Sequence, residues 1–237
     1  IALMIERSAW IGGAAGASNI TAPPGVPVVG TMPHAFIICH PSAEQAFRAF
    51  DRLAPPDVPR IMLCDTHCDE KRESLIAART GASAVRLDTP GSRRGDMRAI
   101  LEEVRWELDA AGYESVQIFL TGGLDREDVA CYWDLVDAFG VGGSIANAQV
   151  IDFALDIVEI EGRPYAKRGK RSAVKQVYAL SPLEHRVLPE EVDPPAGAVP
   201  LLRLFLENGQ VVARPALPES RQRVQDILIY LKERKEP

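Results

Sequence analysis

The sequence has little of what marks several large classes of protein. It has four cysteines among 237 residues, at irregular spacing, which excludes a disulfide framework and favours a reduced, cytoplasmic protein. No apolar run approaches the roughly 20 residues of a membrane span, and no signal-peptide pattern is present. The formal net charge of −6 argues against general nucleic-acid binding. We therefore expect small-molecule substrates, with no nucleic acid and no membrane as partners.

The sequence also lacks the short motifs of three common enzyme classes. It has no Gly-x-Ser-x-Gly turn of a hydrolase, no P-loop and no Gly-x-Gly-x-x-Gly dinucleotide fingerprint. Its hydrophobic content of 46% is nevertheless enough for a sizeable core. The length is typical of one large domain or of a domain and a half.

Short apolar runs alternate with helical patterns through the first 150 residues. The predicted strands lie in the segments GVPVVG, RIMLC, SAVRL, SVQIFL and VDAFGVG. The clearest predicted helix covers residues 95–112, where Met97, Leu101 and Val104 belong to one apolar stripe. Five repeats of strand and helix at this spacing predict a parallel sheet, either open or closed into a barrel.

The pattern changes near Asp152. Phe153, Leu155 and Ile157 alternate with polar residues, which predicts a half-exposed antiparallel strand that turns at Glu161–Gly162. Further strands are predicted in KQVYAL and LLRLFL, followed by a final amphipathic helix. We therefore predict a partial α/β barrel over residues 1–150, and strands and a helix of a mixed α+β domain over residues 151–237.

Candidate ligand-binding residues follow the predicted strands, because ligands of parallel sheets bind at the carboxyl ends of the strands. In chain order they are His34, Asp65, Thr66, Arg86, Asp88, Arg93, Arg94, Gly122, Gly123, Gly142, Gly143 and Ser144. Glycine turns that lead into helices present backbone N–H groups to phosphate. Carboxylates hold ribose hydroxyls or Mg²⁺, and arginines bind phosphate or carboxylate. The set predicts a site for a phosphorylated sugar with an anionic partner.

Each of these residues also has a structural interpretation. A glycine pair after a strand is often only a turn, and Asp125 could simply cap the helix that follows it. Arg93 and Arg94 could be an exposed loop pair. His34 alone would more often be a hydrogen-bonded structural histidine than a reactive one.

A zinc site is a minority interpretation of the segment CDTHC. Cys64, His67 and Cys68 are possible ligands, perhaps with Cys39 or His40. The segment has no matching distant Cys-x-x-Cys pair, which most structural zinc sites of this type would need. Whether these side chains bind a metal stays open at this point.

With these residues in view, the chain resembles the nicotinate phosphoribosyltransferase family in its shorter archaeal and bacterial form. The matching segments, in order, are GTMPHA, DTHCDEK, AVRLDTPGSRRGD, TGGLD, DAFGVGG and the stretch from DIVEIEG to VKQVY. The resemblance implies an incomplete (β/α) barrel of the type II phosphoribosyltransferase kind. It also implies that part of an α+β sandwich domain follows, and that both ends of the chain build this domain.

The resemblance also implies a reaction. Nicotinate and phosphoribosyl pyrophosphate would give nicotinate mononucleotide and pyrophosphate in NAD biosynthesis, with ATP as coupled co-substrate and Mg²⁺ (magnesium) required. The family further implies a homo-oligomer with its sites near subunit interfaces. Because the sequence begins with Ile1 and has no initiator methionine, we expect a fragment that lacks an N-terminal part and is inactive by itself.

Residue roles carry over from the family motifs. His34 matches the histidine that ATP phosphorylates and is assigned, with Asp88, as catalytic. Arg86 and Asp88 match the substrate and ribose position, and Asp65 matches a further ribose or metal contact. Asp65 and Asp88 are thus the implied Mg²⁺ ligands. The remaining implied contacts are to substrate through Thr66, Arg93 and Arg94, and to phosphate through Gly122, Gly123, Gly142 and Gly143.

The sequence departs from the family pattern at four positions. Thr121, Gly143, His67 and Ala173 stand where the family often has Ser, Thr, an aromatic residue and Gly, respectively. Two alternatives stay open. One is a quinolinate phosphoribosyltransferase or related type II enzyme, which would act on a dicarboxylate without ATP and need more Arg, His and Lys. The other is a truncated phosphate-binding domain without catalytic activity.

Overall fold

The structure is a computed structural model that describes residues 2–88, 91 and 93–234. These residues form two compact units. One unit is residues 28–149, and the other combines the residues up to 27 with those from 150 onward. The grouping differs from the predicted division at residue 150, because the first helix packs against the last one.

The helices and strands are as follows. The helices are α1 (Ala2–Gly12), α2 (His34–Ile38), α3 (Ala43–Leu53), α4 (Glu70–Arg79), α5 (Met97–Ala110), α6 (Arg126–Tyr132), α7 (Gly143–Ala146) and α8 (Leu217–Glu233). The strands are β1 (Ile61–Leu63), β2 (Ala84–Leu87), β3 (Gln117–Leu120), β4 (Ala138–Phe139), β5 (Glu159–Ile160), β6 (Arg163–Pro164), β7 (Lys175–Ala179), β8 (His185–Pro189), β9 (Val199–Pro200), β10 (Leu206–Glu207) and β11 (Gln210–Val211). None of these described helices combines the length and the hydropathy that a membrane crossing requires.

The unit of residues 28–149 is built on a parallel sheet with strand order β1-β2-β3-β4. Four of the five predicted strands are therefore confirmed. The remaining prediction, GVPVVG, is wrong as a strand: residues 25–30 contain only an isolated bridge at Val28. Pro27 lies inside this segment and has no backbone N–H to donate to a neighbouring strand. The sheet of the described residues is open, and closure into a barrel stays a prediction.

Helices cover this sheet in the way that the apolar periodicity predicts. In α5, Met97, Leu101, Val104 and Leu108 are all buried. Helix α3 begins at an N-terminal cap, where the Ser42 hydroxyl accepts the N–H of Gln45. The core therefore lies where strand faces meet helix stripes. Its largest fully buried side chains are Phe47, Ile37, Met62, Leu63, Leu87, Leu101, Leu108, Ile118, Leu120 and Leu124.

The unit of the two chain ends has a different character. Its β7 pairs antiparallel with β8 and β9, and the β5–β6 hairpin turns at Glu161–Gly162 as predicted. The final helix is confirmed as α8, and the Arg221 guanidinium lies 3.9 Å from the centre of the Trp10 ring of α1. The predicted strand over Phe153–Ile157 does not form, and LLRLFL contributes only Leu206 to β10. No residue from 150 to 234 is buried.

Candidate active site

Several predicted site residues meet at the carboxyl edge of the parallel sheet. Asp65 and Thr66 directly follow β1, and Asp88 directly follows β2. Because β1 and β2 are parallel neighbours, their carboxyl ends lie side by side. His34 is the first residue of α2, a short helix that the sequence analysis did not predict. We call His34, Asp65, Arg86 and Asp88 the strand-end cluster.

The His34 ring is held between two loops. Its Nδ1 lies 3.1 Å from the Thr66 hydroxyl, at hydrogen-bonding distance. Its Nε2 lies 3.9 Å from Asp65 Oδ1 and 3.7 Å from Asp88 Oδ2. The ring is therefore oriented by one hydroxyl and faces two carboxylates.

The two carboxylates of the cluster are tied to each other. The Asp65 side chain is only 2% exposed, and its Oδ2 accepts the backbone N–H of Asp88 at 2.8 Å. Asp88 is more accessible, at 28%. The buried Asp65 thus fixes the start of the loop after β2, and Asp88 is the more accessible of the two carboxylates.

Arg86 supplies the positive charge of the cluster. It lies in β2, and one terminal nitrogen donates to the Met32 carbonyl at 3.0 Å and lies 3.6 Å from Asp88 Oδ2. Its Nε and the Nε2 of His34 are buried and have no hydrogen-bond partner within the part of the chain that the structure describes. Buried polar atoms are normally hydrogen-bonded, so these two nitrogens keep a hydrogen-bonding capacity that none of the described residues satisfies.

Thr121 belongs to the site although the sequence analysis did not include it among the site residues. It follows β3 directly, and its hydroxyl donates to Asp88 Oδ1. The Thr121 hydroxyl oxygen also lies 3.3 Å from the Leu87 carbonyl oxygen, and the Thr121 N–H donates to that carbonyl at 2.8 Å. The strand-end rule that identified Asp65 and Asp88 applies equally to Thr121 and could have identified it.

Arg93 is engaged away from the strand-end cluster. Its Nε and a terminal nitrogen lie 2.5 Å and 3.2 Å from the two oxygens of Glu70, a buried residue at the start of α4. Its other terminal nitrogen donates to the Arg94 carbonyl at 2.6 Å. The alternative of a simple exposed loop pair is therefore wrong for Arg93, whereas Arg94 is exposed. Their predicted contacts to substrate stay predictions.

The two glycine turns follow β3 and β4 as the sequence predicts. Gly122 and Gly123 have φ angles of +98° and +74°, a region that favours glycine. Asp125 caps α6 in a reciprocal capping box with Asp128, which confirms the structural interpretation of this aspartate. Hydrogen bonding from the Asp128 N–H lowers the pKa of Asp125. In the second turn, Gly142 and Gly143 are exposed at the start of α7. The phosphate role of both turns stays a prediction.

The candidate zinc ligands are not assembled. Cys64 is fully buried and its thiol donates to the Met62 carbonyl, whereas Cys39 and Cys68 are exposed. Burial raises the pKa of Cys64, which disfavours the thiolate that a metal would bind. Among the residues that the structure describes, no three His, Cys, Asp or Glu side chains are arranged to hold a metal ion.

His67 instead binds Glu73. One oxygen of the buried Glu73 accepts the His67 backbone N–H at 3.0 Å, and the same oxygen lies 2.9 Å from His67 Nδ1, at hydrogen-bonding distance. Burial raises the pKa of Glu73, while the hydrogen bonds from His67 lower it by less. The contact fixes the loop between β1 and α4, which carries Asp65 and Thr66.

The donor set of the cluster is compatible with Mg²⁺. Magnesium binds proteins through one or two carboxylates and completes its shell with water and substrate phosphates. Asp65 Oδ1 and Asp88 Oδ2 both face His34 Nε2, so the two carboxylates converge on one region. If the site binds Mg²⁺, Asp65 and Asp88 are the residues that would hold it, and this role stays a prediction.

Comparisons with known proteins agree on the general class. Residues 1–156, which include the whole strand-end cluster, match the family described as quinolinate phosphoribosyl transferase, C-terminal domain. A protein named nicotinate phosphoribosyltransferase pncB2 in two Mycobacterium tuberculosis strains, CDC 1551 / Oshkosh and H37Rv, is 34% identical over 203 residues. That alignment covers 78% of this chain and 42% of the relative.

A solved structure matches over almost the whole chain. It is the crystal structure of nicotinate-nucleotide pyrophosphorylase from Pyrococcus furiosus, with a TM-score of 0.83 and 47% sequence identity. The match covers 98% of this chain and 62% of that one. The chain thus spans less than half the length of the curated relatives and under two thirds of the solved one. The predicted α/β class with a parallel sheet agrees with this match.

Proposed function

This chain belongs to the quinolinate phosphoribosyl transferase C-terminal domain family, and we propose that it holds the donor site of an enzyme that forms nicotinate mononucleotide. In that reaction the ring nitrogen of a pyridine carboxylate attacks C1 of phosphoribosyl pyrophosphate, and the C1–O bond to pyrophosphate breaks. The observation that carries the proposal is the strand-end cluster. It brings two carboxylates, an imidazole and a guanidinium together inside the region that matches the family.

The cluster suits the charge that develops in this reaction. As pyrophosphate leaves C1, positive charge grows on the ribose ring, and fixed negative charges nearby stabilise it. Asp88 is the more exposed carboxylate and is held by Arg86 and Thr121. It can therefore accept a hydrogen bond from a ribose hydroxyl without moving. Asp65 keeps Asp88 in place by accepting a hydrogen bond from the Asp88 backbone N–H.

The predicted phosphate turns complete the donor site. Gly122 and Gly123 follow β3, next to the strand that leads to Asp88. Backbone N–H groups in such turns bind phosphate without a full positive charge, which fits a chain of net charge −6. Bound at Asp65 and Asp88, Mg²⁺ would neutralise the leaving pyrophosphate.

Two acceptors fit this reaction, and the comparisons favour the quinolinate type. The description of the matching family names quinolinate as the substrate of the transferase. The 47% identical relative is named nicotinate-nucleotide pyrophosphorylase. With quinolinate, a pyridine dicarboxylate, one ring carboxylate must leave as CO₂, and a proton must take its place on the ring carbon, to give the same product. This reaction needs no ATP. Because the comparisons favour quinolinate, we place the ATP-independent quinolinate enzyme first.

Nicotinate is the second candidate, supported by two observations. The curated relatives at 34% identity are named nicotinate phosphoribosyltransferase. In addition, the cluster holds a single arginine, because Arg93 is bound by Glu70, and one guanidinium suits one carboxylate better than two. For this candidate, with ATP as co-substrate, His34→Ala should abolish any ATP stimulation and leave a slow ATP-independent transfer.

A direct assay tests both candidates. Because the chain by itself is expected to be inactive, the assay uses the chain extended by the N-terminal segment whose absence the sequence analysis expects. This protein is incubated with phosphoribosyl pyrophosphate, Mg²⁺ and either quinolinate or nicotinate, with and without ATP, and nicotinate mononucleotide is measured by mass spectrometry. We expect product from one acceptor, and a loss of at least about tenfold in Asp88→Asn. ATP-stimulated product from nicotinate would reverse the order of the candidates. No product and no donor binding would refute the proposed function.

A further inference from the structure

Thr121 and Gly140 approach each other unusually closely where β3 and β4 end. A Cβ added to Gly140 would lie 2.4 Å from Thr121 Cγ2 and 3.2 Å from Thr121 Cβ. The Gly140 N–H donates to the Leu120 carbonyl at 2.9 Å, so the backbone of Gly140 is fixed beside β3. Since Gly140 is not in the left-handed region, glycine is required here for space rather than for backbone conformation.

The Thr121 side chain that fills this space also holds Asp88. Its hydroxyl donates to Asp88 Oδ1, which leaves Oδ2 facing Arg86 and His34 Nε2 at 3.6 Å and 3.7 Å. Threonine is branched at Cβ, so its methyl and hydroxyl rotate together and few rotamers are allowed. Displacing the methyl group from the space beside Gly140 therefore also displaces the hydroxyl from Asp88.

We infer that Thr121 and Gly140 form a positioning pair for Asp88 in the donor site. Gly140 leaves room for the Thr121 methyl, and the Thr121 hydroxyl sets the orientation of the Asp88 carboxylate. Both residues act through Asp88, without touching the reacting atoms themselves. The inference rests on the proposed function for its kinetic test, but the geometry can be measured independently of turnover.

Four variants isolate the pair. In Gly140→Ala the new methyl overlaps Thr121 Cγ2, so we expect kcat/KM for the donor to fall about tenfold or more. Thr121→Val keeps the branched shape and removes the hydroxyl, and should cause a similar loss. Thr121→Ser keeps the hydroxyl and removes the methyl, and should stay within about threefold of wild type. The double variant Gly140→Ala/Thr121→Ser should recover most of the activity that Gly140→Ala loses.

Two controls separate positioning from general damage. Gly30→Ala adds a Cβ where nothing lies within 4 Å, in the same unit and outside the cluster, and should leave kinetics and melting temperature unchanged. In an Asp88→Asn background, Thr121→Val should cause little further loss, because residues that act through one another are not additive. A purely structural role of Thr121 would give the same fold-loss in both backgrounds.

A nuclear magnetic resonance measurement tests the geometry without turnover. The chain has four histidines, so the His34 imidazole resonances can be assigned by substitution. Thr121→Val and Gly140→Ala should shift the His34 signals, and Thr121→Ser should restore them in the Gly140→Ala background. Unshifted His34 signals, or a Gly140→Ala defect that Thr121→Ser does not relieve, would overturn the inference. If the variants shift the His34 signals as expected but the wild type neither binds nor uses the donor, only the proposed function is refuted.

Discussion

Helix α5 and residues 153–157 carry equally regular apolar patterns, yet only the first is covered. Leu101 and Leu108 of α5 are fully buried against the parallel sheet. Phe153 and Leu155 are 91% and 100% exposed, and the strand that their alternation predicts is absent. The comparison shows that periodicity identifies the face that an element can bury, whereas burial also requires an apolar partner surface.

The same contrast separates the two units as places for chemistry. In residues 28–149, a buried sheet fixes the strand ends, and the side chains after them form hydrogen bonds over 23 to 33 residues of sequence. From residue 150 to residue 234 no residue is buried, so these residues lack the buried sheet that fixes the strand-end cluster. We therefore place the donor site in residues 28–149.

The largest expected effect is on stability and compares two leucines. Leu101→Ala removes a fully buried side chain and should lower the free energy of unfolding by about 2–5 kcal/mol. Leu155→Ala removes a fully exposed one and should change it by less than about 0.5 kcal/mol. Urea unfolding followed by circular dichroism measures both. An equal loss in both variants would show that Leu155 is covered in solution and would break the comparison.

The next effect is on catalysis and compares two aspartates. Asp88→Asn should lower kcat at least about tenfold, since a hydrogen bond to a charged group contributes about 1.5–3 kcal/mol. Asp193→Asn changes an exposed aspartate of the other unit and should leave kcat unchanged. Steady-state kinetics with the acceptor that gives product supplies the values. Unchanged kcat with a lower melting temperature in Asp88→Asn would indicate a structural role instead.

The smallest expected effect concerns pH and the buried Glu73. Because burial raises its pKa in the folded state, the stability that Glu73 contributes is complete below its ordinary pKa of about 4.3 and declines as pH rises through the raised value. Glu73→Gln stays neutral and keeps an acceptor for His67. As pH rises from the ordinary pKa of Glu73 through the raised value, the free energy of unfolding of the variant should therefore increase relative to that of wild type.

The exposed Glu103 provides the matched control for this pH effect. It forms only a surface pair with Lys71 at 3.2 Å, which contributes little. Urea unfolding at a series of pH values should give a difference between Glu103→Gln and wild type that varies little with pH. A difference for Glu73→Gln that is equally flat would contradict the stated environment of Glu73.

The sequence was sufficient for the features that depend on local pattern. Strands β1 to β4, the α5 stripe and the strand-end positions of Asp65 and Asp88 follow from apolar periodicity and the geometry of parallel sheets. The family resemblance was confirmed at the level of a phosphoribosyltransferase family. These features are robust because several residues contribute to each.

Other features depend on single side chains that meet across long sequence separations. The Arg93–Glu70 pair joins residues 23 apart, and the Thr121–Asp88 hydrogen bond joins residues 33 apart. No periodicity encodes such pairs, since they depend on rotamers and on the space that Gly140 leaves open. Helix α2 was missed because five residues are too few to show a helical pattern.

The central claim is that the donor binds at the strand ends of residues 28–149. The most direct measurement is a titration with phosphoribosyl pyrophosphate and Mg²⁺, followed by the imidazole resonances of the four histidines. His34 lies in the strand-end cluster, whereas His185 begins β8 in the other unit. We predict that the His34 signals shift saturably, that those of His185 do not move, and that Asp88→Asn weakens the response. A saturable shift of His185 with His34 unmoved would contradict the account.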